Sequence, residues 1–291
     1  SAKGTMCGIT TGGRIVCRGG TTIGSTGGND FRAVEDYDSG STAPIRSVES
    51  NFVRVEVGAV GFCALDESSS LHCWGAGNIN ENEPPSGEHQ DMALAAGAAC
   101  FLDTSGSIEC IGMEWGTQKP DITATEIDAG GNFFCALNEQ GEATCWGSET
   151  WGTSETPPTA FEQIDAGRYH VCGLTSGGAA ECWGTGSEPN EDSFDAYGQA
   201  IPPDGTFQQI DGGWYHTCAL DMSGNAVCWG LGTDSSQDET GGDFPSRDHD
   251  QSSPPSDTFT QIEASATVSC GLLESRDVKC WGQDSDDWEL P

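Results

Sequence analysis

The residues best equipped for chemistry are the cysteines. There are 14, and in chain order they form pairs ten residues apart: Cys7 and Cys17, Cys63 and Cys73, Cys100 and Cys110, Cys135 and Cys145, Cys172 and Cys182, Cys218 and Cys228, Cys270 and Cys280. Cysteine thiols bind metals, attack electrophiles or form disulfides. A C-x9-C spacing is not that of a zinc site, and no Cys or His recurs at a fixed short distance from these residues in every copy. An i, i+10 pair centred on a turn fits a β-hairpin instead. With Cys172 opposite Cys182, Leu174 faces Ala180 and the turn falls at Ser176, Gly177 and Gly178. The same register sets Ile9 against Ile15, Leu65 against Leu71, Leu102 against Ile108, Leu137 against Ala143, Leu220 against Ala226 and Leu272 against Val278. Each lies two residues from a cysteine, on the same face of the sheet, and each is apolar.

Directly opposed residues of an antiparallel pair lie close enough for a disulfide. One disulfide per hairpin is therefore expected, each closing a short loop worth about 2–3 kcal/mol. The competing reading, buried reduced thiols, conflicts with how seldom reducing compartments accumulate facing pairs. An oxidising residence follows: extracellular, cell-surface or periplasmic.

Other catalytic signals are absent. The sequence has no GxSxG elbow, HExxH, P-loop or GxGxxG after a strand. His170 and His216 hold one repeat position, which Phe133 takes in another copy. A catalytic base would not tolerate that exchange, so these histidines are expected to hold structure by hydrogen bonding. Trp74, Trp146, Trp183, Trp229 and Trp281 each follow the second cysteine of a pair and are expected to pack neighbouring repeats together.

The elements that position these residues are repeats. Residues 161–184 read FEQIDAGRYHVCGLTSGGAAECWG, and residues 207–230 read FQQIDGGWYHTCALDMSGNAVCWG. The unit is about 36 residues and predicts three strands, FxQI, HxCxL and VxCWG. Longer spacings are insertions between CWG and the next first strand, chiefly 18–52, 185–206 and 231–258. The third copy departs from the pattern, with Ile111 in place of Trp. The first copy lacks its FxQI strand, and the tail resembles a linker, so the two ends are expected to meet in one sheet. Sheets of this size cannot each bury two faces alone; arranged radially as blades and closed into a ring, they can.

Composition excludes several partners. With 46 acidic and 11 basic side chains, the formal charge is −35. That field repels nucleic acid and anionic lipid. No apolar run is long enough for a transmembrane helix, and no secretory leader is visible, so any export signal is expected to lie outside this sequence.

The strings AGRYHVCGL with GGAAECWG, and GGWYHTCAL with GNAVCWG, resemble the RCC1-type repeat. The resemblance implies an all-β, seven-bladed β-propeller, here spanning residues 1–291 as a single domain with one hairpin disulfide per blade. The short repeats are similar to those of secreted bacterial members, which include a β-lactamase inhibitor protein. The cysteine pairs are not part of the general family pattern. The acidic charge is unlike the chromatin-binding member, which argues against nucleosome binding and nucleotide exchange.

The variable turns between Ala-Gly and the cysteine strand carry Arg168, Tyr169, Trp214, Tyr215, Asn132 and Phe133. Loops of this kind form the binding surface in the inhibitor relative, and rigid aromatic residues make good interface anchors. Acidic insertions and the tail offer oxygen ligands for calcium at Asp36, Asp38, Asp284 and Asp286, without completing an EF-hand. The reading is a non-catalytic protein-binding or assembly module with no cofactor, apart from that calcium. Alternatives are a structural subunit of a surface layer or filament, and a carbohydrate-binding, hydrolytic or lyase propeller. Peptide mapping without reduction should return only i, i+10 disulfides; a bridge between two hairpins would sink the register.

Overall fold

The computed structural model describes residues 6–9, 13, 15–18, 32–33, 51–58, 61–75, 84–148, 152–187, 195–232 and 249–282. The chain forms two compact units, residues 1–139 with 146–148, and residues 140–145 with 149–291.

The described residues form three-stranded antiparallel sheets. The first holds β1 (Met6–Ile9), β2 (Ile15–Arg18) and a two-residue β3 (Arg32–Ala33). Six fuller sheets follow in chain order: β4 (Phe52–Val57), β5 (Gly61–Asp66) and β6 (Leu71–Gly75); β7 (His89–Leu94), β8 (Ala98–Asp103) and β9 (Ile108–Gly112); β10 (Glu126–Ala129), β11 (Phe133–Leu137) and β12 (Ala143–Gly147); β13 (Gln163–Ala166), β14 (His170–Leu174) and β15 (Ala180–Gly184); β16 (Phe207–Gly212), β17 (His216–Asp221) and β18 (Ala226–Gly230); β19 (Phe259–Ala264), β20 (Val268–Leu273) and β21 (Val278–Gly282). One helical turn, α1 (Glu114–Thr117), sits in a linker. The first sheet is built differently from the rest. Its cysteine strand β1 is at an edge, and its third strand comes after the hairpin instead of before it.

The hairpin register is the expected one. Cys63 pairs with Cys73, Cys100 with Cys110, Cys172 with Cys182, Cys218 with Cys228 and Cys270 with Cys280, and each pair is disulfide-bonded. Cys7 faces Cys17 across β1 and β2. Cys7, Cys135 and Cys145 are also disulfide-bonded.

Two glycine positions explain recurring motifs. The glycine of CWG has positive φ, +95° at both Gly184 and Gly230. A side chain there would strike the backbone of the paired strand. The hairpin-turn residue also has positive φ, and its carbonyl accepts the amide that opens the next sheet's first strand. In the first unit Gly13 accepts from Phe52 (3.0 Å), Ser69 from His89 (2.9 Å) and Gly106 from Ala124 (2.9 Å). In the second, Gly141 accepts from Phe161 (2.9 Å), Gly178 from Phe207 (2.8 Å) and Gly224 from Phe259 (2.7 Å). Each turn thus fixes where the next sheet starts.

The first strands break two-residue alternation, and a bulge is the reason. Register shifts between Phe207 and Gln209, and likewise between Phe259 and Gln261. An extra residue turns the following side chains to the other face. Phe207 and Ile210 consequently pack on Cys172 and Leu174 of the preceding sheet. Gln209 faces the following sheet, donating from Nε2 to the Ile262 carbonyl (2.7 Å) and accepting from the Ile262 N–H (2.9 Å). Asp211 accepts from the Ala264 N–H (2.6 Å), and Asp165 from the Gly212 N–H (2.5 Å). In the first unit this position is ionic. Asp91 accepts from the Ile127 N–H (3.0 Å) and from Arg54 Nη1 (2.9 Å). Burial pushes Asp91 up to about 6 while Arg54 and the backbone amides of Ile127 and Met92 pull against it, so it is ionised and paired at neutral pH.

The Cys172–Cys182 and Cys218–Cys228 disulfides lie in the apolar layer between sheets. Cys218 and Leu220 pack with Phe259, Ile262 and Trp281, as Cys172 and Leu174 do with Phe207, Ile210 and Trp229. The tryptophans are tied by their indole N–H to a backbone carbonyl 30 residues earlier: Trp146 to Gly116 (3.2 Å), Trp183 to Thr153 (2.9 Å), Trp229 to Gln199 (2.8 Å) and Trp281 to Gln251 (2.9 Å). That interval holds whatever the insertion length. Buried glutamines hold the described ends of the insertions 185–206 and 231–258. Gln199 accepts from the Tyr197 N–H and Gln251 from the His249 N–H, both at 2.7 Å.

Gln209→Ala should cost about 1–3 kcal/mol, because it leaves the Ile262 amide and carbonyl without partners. Gln261→Ala, at the same repeat position but exposed, should cost under about 0.5 kcal/mol. Equal denaturation midpoints for the two variants would contradict this inter-sheet role.

Candidate functional site

The variable turns of two consecutive repeats, Gly167–Tyr169 and Gly213–Tyr215, are joined through their backbones. The Arg168 N–H donates to the Gly213 carbonyl (3.1 Å), and the Trp214 N–H to the Ser265 carbonyl (3.2 Å). The Tyr169 and Tyr215 carbonyls accept from Thr185 and Leu231, both at 2.9 Å. With their backbones held this way, the turns set the directions of their side chains.

Those side chains converge. Tyr169, Tyr215 and Leu231 are buried together, with Tyr197 and Trp214 packed against them. The Tyr215 ring lies 5.8 Å from that of Tyr169, 5.6 Å from that of Tyr197 and 6.3 Å from that of Trp214. The Arg168 guanidinium carbon stands 3.9 Å from the centre of the Trp214 ring and 5.0 Å from that of Tyr169. Each such cation–π contact is worth about 0.5–2 kcal/mol. Arg168 and Trp214 are half-buried, while the two tyrosines form the floor.

Four of the six residues expected on a binding surface thus come together: Arg168, Tyr169, Trp214 and Tyr215. Tyr169 and Tyr215 support the surface rather than project from it, at 8% and 6% exposure. Asn132 and Phe133 belong to the first unit. Phe133 is a correction: it is 1% exposed, because it fills the interior position that histidine takes in other repeats, and it offers no surface. Tyr197 and Leu231 were missed. Tyr197 sits two residues before the neck glutamine Gln199, and the shared pattern of Tyr197-Gly198-Gln199 and His249-Asp250-Gln251 is the signal that points to it. Asp36, Asp38, Asp284 and Asp286 lie outside the described residues. Among the described residues no group of three His, Cys, Asp or Glu is placed to hold a metal.

Beneath the turns, His170 and His216 are fully buried. Thr217 donates its hydroxyl proton to the Gln199 carbonyl (2.9 Å), so His170 Nε2, at 2.7 Å from that hydroxyl, carries the hydrogen. Ser269 and the Gln251 carbonyl impose the same tautomer on His216. Each ring packs on a glycine, Gly167 and Gly213, where a Cβ would overlap it. That contact is the physical content of the Ala-Gly or Gly-Gly three residues before the histidine. Burial lowers both histidines to about 3. They are neutral structural groups.

The first unit has a polar recess of about 360 Å³ lined by Glu88, His89, Phe101, Asp103, Glu109 and serines. Asp103 accepts from the Ser105 hydroxyl (2.7 Å) and the Ser107 amide (2.9 Å), which hold it below the usual carboxylate range. A general acid needs the opposite shift.

Residues 124–150 and 207–235 match the family profile described as Regulator of chromosome condensation (RCC1) repeat. Those two stretches are repeats of the RCC1 type. The structure is similar to the ectodomain of the Physcomitrella patens receptor kinase CR4, with a TM-score of 0.69 and 22% identity over 97% of this chain and 70% of that one. It is similar to the CRINKLY WD40 ectodomain of the Arabidopsis thaliana receptor kinase ACR4, with the same score and identity over 99% and 93%. A third likeness is to Prp20p of Saccharomyces cerevisiae, a structure described with its binding to Gsp1p and histones; the TM-score is 0.66 and the identity 13% over 98% and 82%. No curated protein matches by sequence. These likenesses show an RCC1-type propeller fold.

The histidines give a pH prediction. A folded-state value near 3, against about 6.5 unfolded, means that protons bind the unfolded chain preferentially between those limits. Their contribution is complete above about pH 6.5 and falls by up to about 1.4 kcal/mol per pH unit per histidine as pH drops. His216→Phe, which copies the natural Phe133, should flatten the slope of melting temperature between pH 7 and 5. Parallel slopes for variant and parent would refute it.

Proposed function

We propose that this chain is an extracellular, disulfide-stapled, seven-bladed propeller forming one domain, and that it binds a protein partner without catalysis. The observation that carries the binding role is the cluster in which Arg168 and Trp214 stand half-exposed on a floor of Tyr169 and Tyr215. Aromatic residues and arginine held rigidly over a packed floor are the composition of interface hot spots, because little conformational entropy is left to lose. The extracellular residence is supported by the disulfides and by the likeness to two receptor-kinase ectodomains. The likeness of the short repeats to those of a secreted bacterial β-lactamase inhibitor protein points the same way. Among the described residues no helix is long and apolar enough to cross a membrane. The ring closure proposed here would set the turns of successive repeats around one rim. Calcium on the acidic segments around Asp36, Asp38, Asp284 and Asp286 remains part of the proposal, as a stabiliser rather than a reagent.

A photo-crosslinker replacing Trp214 tests the reading in the native surface or secreted fraction. A discrete adduct is expected there, with none from the same group at Glu139, an exposed hairpin-turn position. Adducts of equal yield at both positions, or at neither, would overturn it. An adduct only to a second copy would favour the surface-layer alternative.

A further inference from the structure

Arg168 has its guanidinium over two aromatic rings. Acidic side chains outnumber basic ones 46 to 11; Arg54 pairs with Glu56 (3.2 Å) and Asp91 (2.9 Å), and Lys279 with Asp257 (2.5 Å). Among the described residues no carboxylate pairs with the Arg168 guanidinium, whose contacts are the faces of Trp214 and Tyr169. The backbone amide of Arg168 is spent on the Gly213 carbonyl. The two rings restrain the guanidinium, and none of the described carboxylates takes its N–H groups. A guanidinium fixed in this way is preorganised for two parallel hydrogen bonds to one planar anion.

We propose that Arg168, held over the rings of Trp214 and Tyr169, is the receptor for a single carboxylate, an Asp or Glu side chain of the protein partner. This rests on the reading of the cluster as a protein-binding surface and names the chemistry it selects. The carboxylate is favoured over a phosphate by charge. One guanidinium edge matches one carboxylate, whereas a phosphate of nearly two negative charges draws on several donors and meets a chain of formal charge −35. Trp214 flanks the cation with apolar surface, so the acid would be presented beside an apolar or aromatic residue of the partner.

The test uses the full chain labelled at arginine Nε, at about 0.15 M salt, where the Debye length of about 8 Å limits the long-range repulsion. The probe is the peptide acetyl-Gly-Glu-Gly-amide, with acetyl-Gly-Gln-Gly-amide and inorganic phosphate as comparisons. The Arg168 Nε–H resonance, assigned by its loss in Arg168→Lys, should move with the Glu peptide and saturate in the millimolar range. The Gln peptide should bind at least about tenfold more weakly, since it lacks the charge-assisted pair. Trp214→Ala, which keeps the cation and removes the platform, should weaken the Glu peptide severalfold. The proposal is overturned if Glu and Gln peptides act alike, if phosphate binds more tightly than the Glu peptide, or if about 20 mM peptide leaves the resonance unmoved. A partner adduct at position 214 together with an unresponsive Arg168 would keep the binding surface and discard the carboxylate. Peptide binding without any adduct would do the reverse.

Discussion

Sheets that bury both faces against neighbours must satisfy the polar backbone between them without water. A buried carbonyl or amide left without a partner costs about 1–3 kcal/mol, which is a large share of a protein's net stability. Most of the repeat's invariant features answer that constraint. The indoles of Trp183, Trp229 and Trp281 donate to carbonyls that arrive from a linker. Gln209, Asp211 and Asp165 serve the backbone of the following sheet. Thr217 and Ser269 place a second donor on the carbonyls that Trp229 and Trp281 already use. Apolar burial of the cysteines, Phe207, Phe259 and the isoleucines supplies the driving force, but these donors decide the register at which it is realised.

The constraint also explains where the chain tolerates insertions. The interval from anchor carbonyl to indole is 30 residues in every described case. Extra length therefore goes ahead of the anchor. Gln199 and Gln251 close those excursions against Gly186 and Gly232, where a Cβ would collide with the amide side chain. A loop whose ends are fixed costs little more entropy when it lengthens. Tyr197, at such a neck, joins the aromatic cluster with its backbone N–H held by Gln199.

The hairpins were legible from the sequence because cysteine spacing and apolar pairing gave two independent constraints on one register. Cys172 with Cys182 and Leu174 with Ala180 are paired as expected. The first strands were legible as strands but not in their facing. A bulge between Phe207 and Gln209 leaves no trace in a period-two pattern except the Phe-to-Ile interval of three. The turn α1 was not expected, being too short to show periodicity. At the candidate site the turn residues Arg168 and Trp214 were visible as variable positions. The burial of Tyr169, Tyr215 and Phe133 was not, since a turn aromatic looks alike in sequence whether it projects or packs.

Charge and stacking act at different ranges in this molecule. The −35 field sets solubility and discourages polyanions at distances of a Debye length or more, about 8 Å at physiological salt. It does little at contact, where the partner of a group is decided by geometry and desolvation. Arg168 at 3.9 Å from the Trp214 ring belongs to the second regime. An arginine paired to a local acid, as Arg54 is to Asp91, has its hydrogen-bonding edge consumed by the fold. One supported by ring faces keeps that edge while losing its freedom. The turn geometry positions the guanidinium over aromatic carbon, where none of the described carboxylates pairs with it.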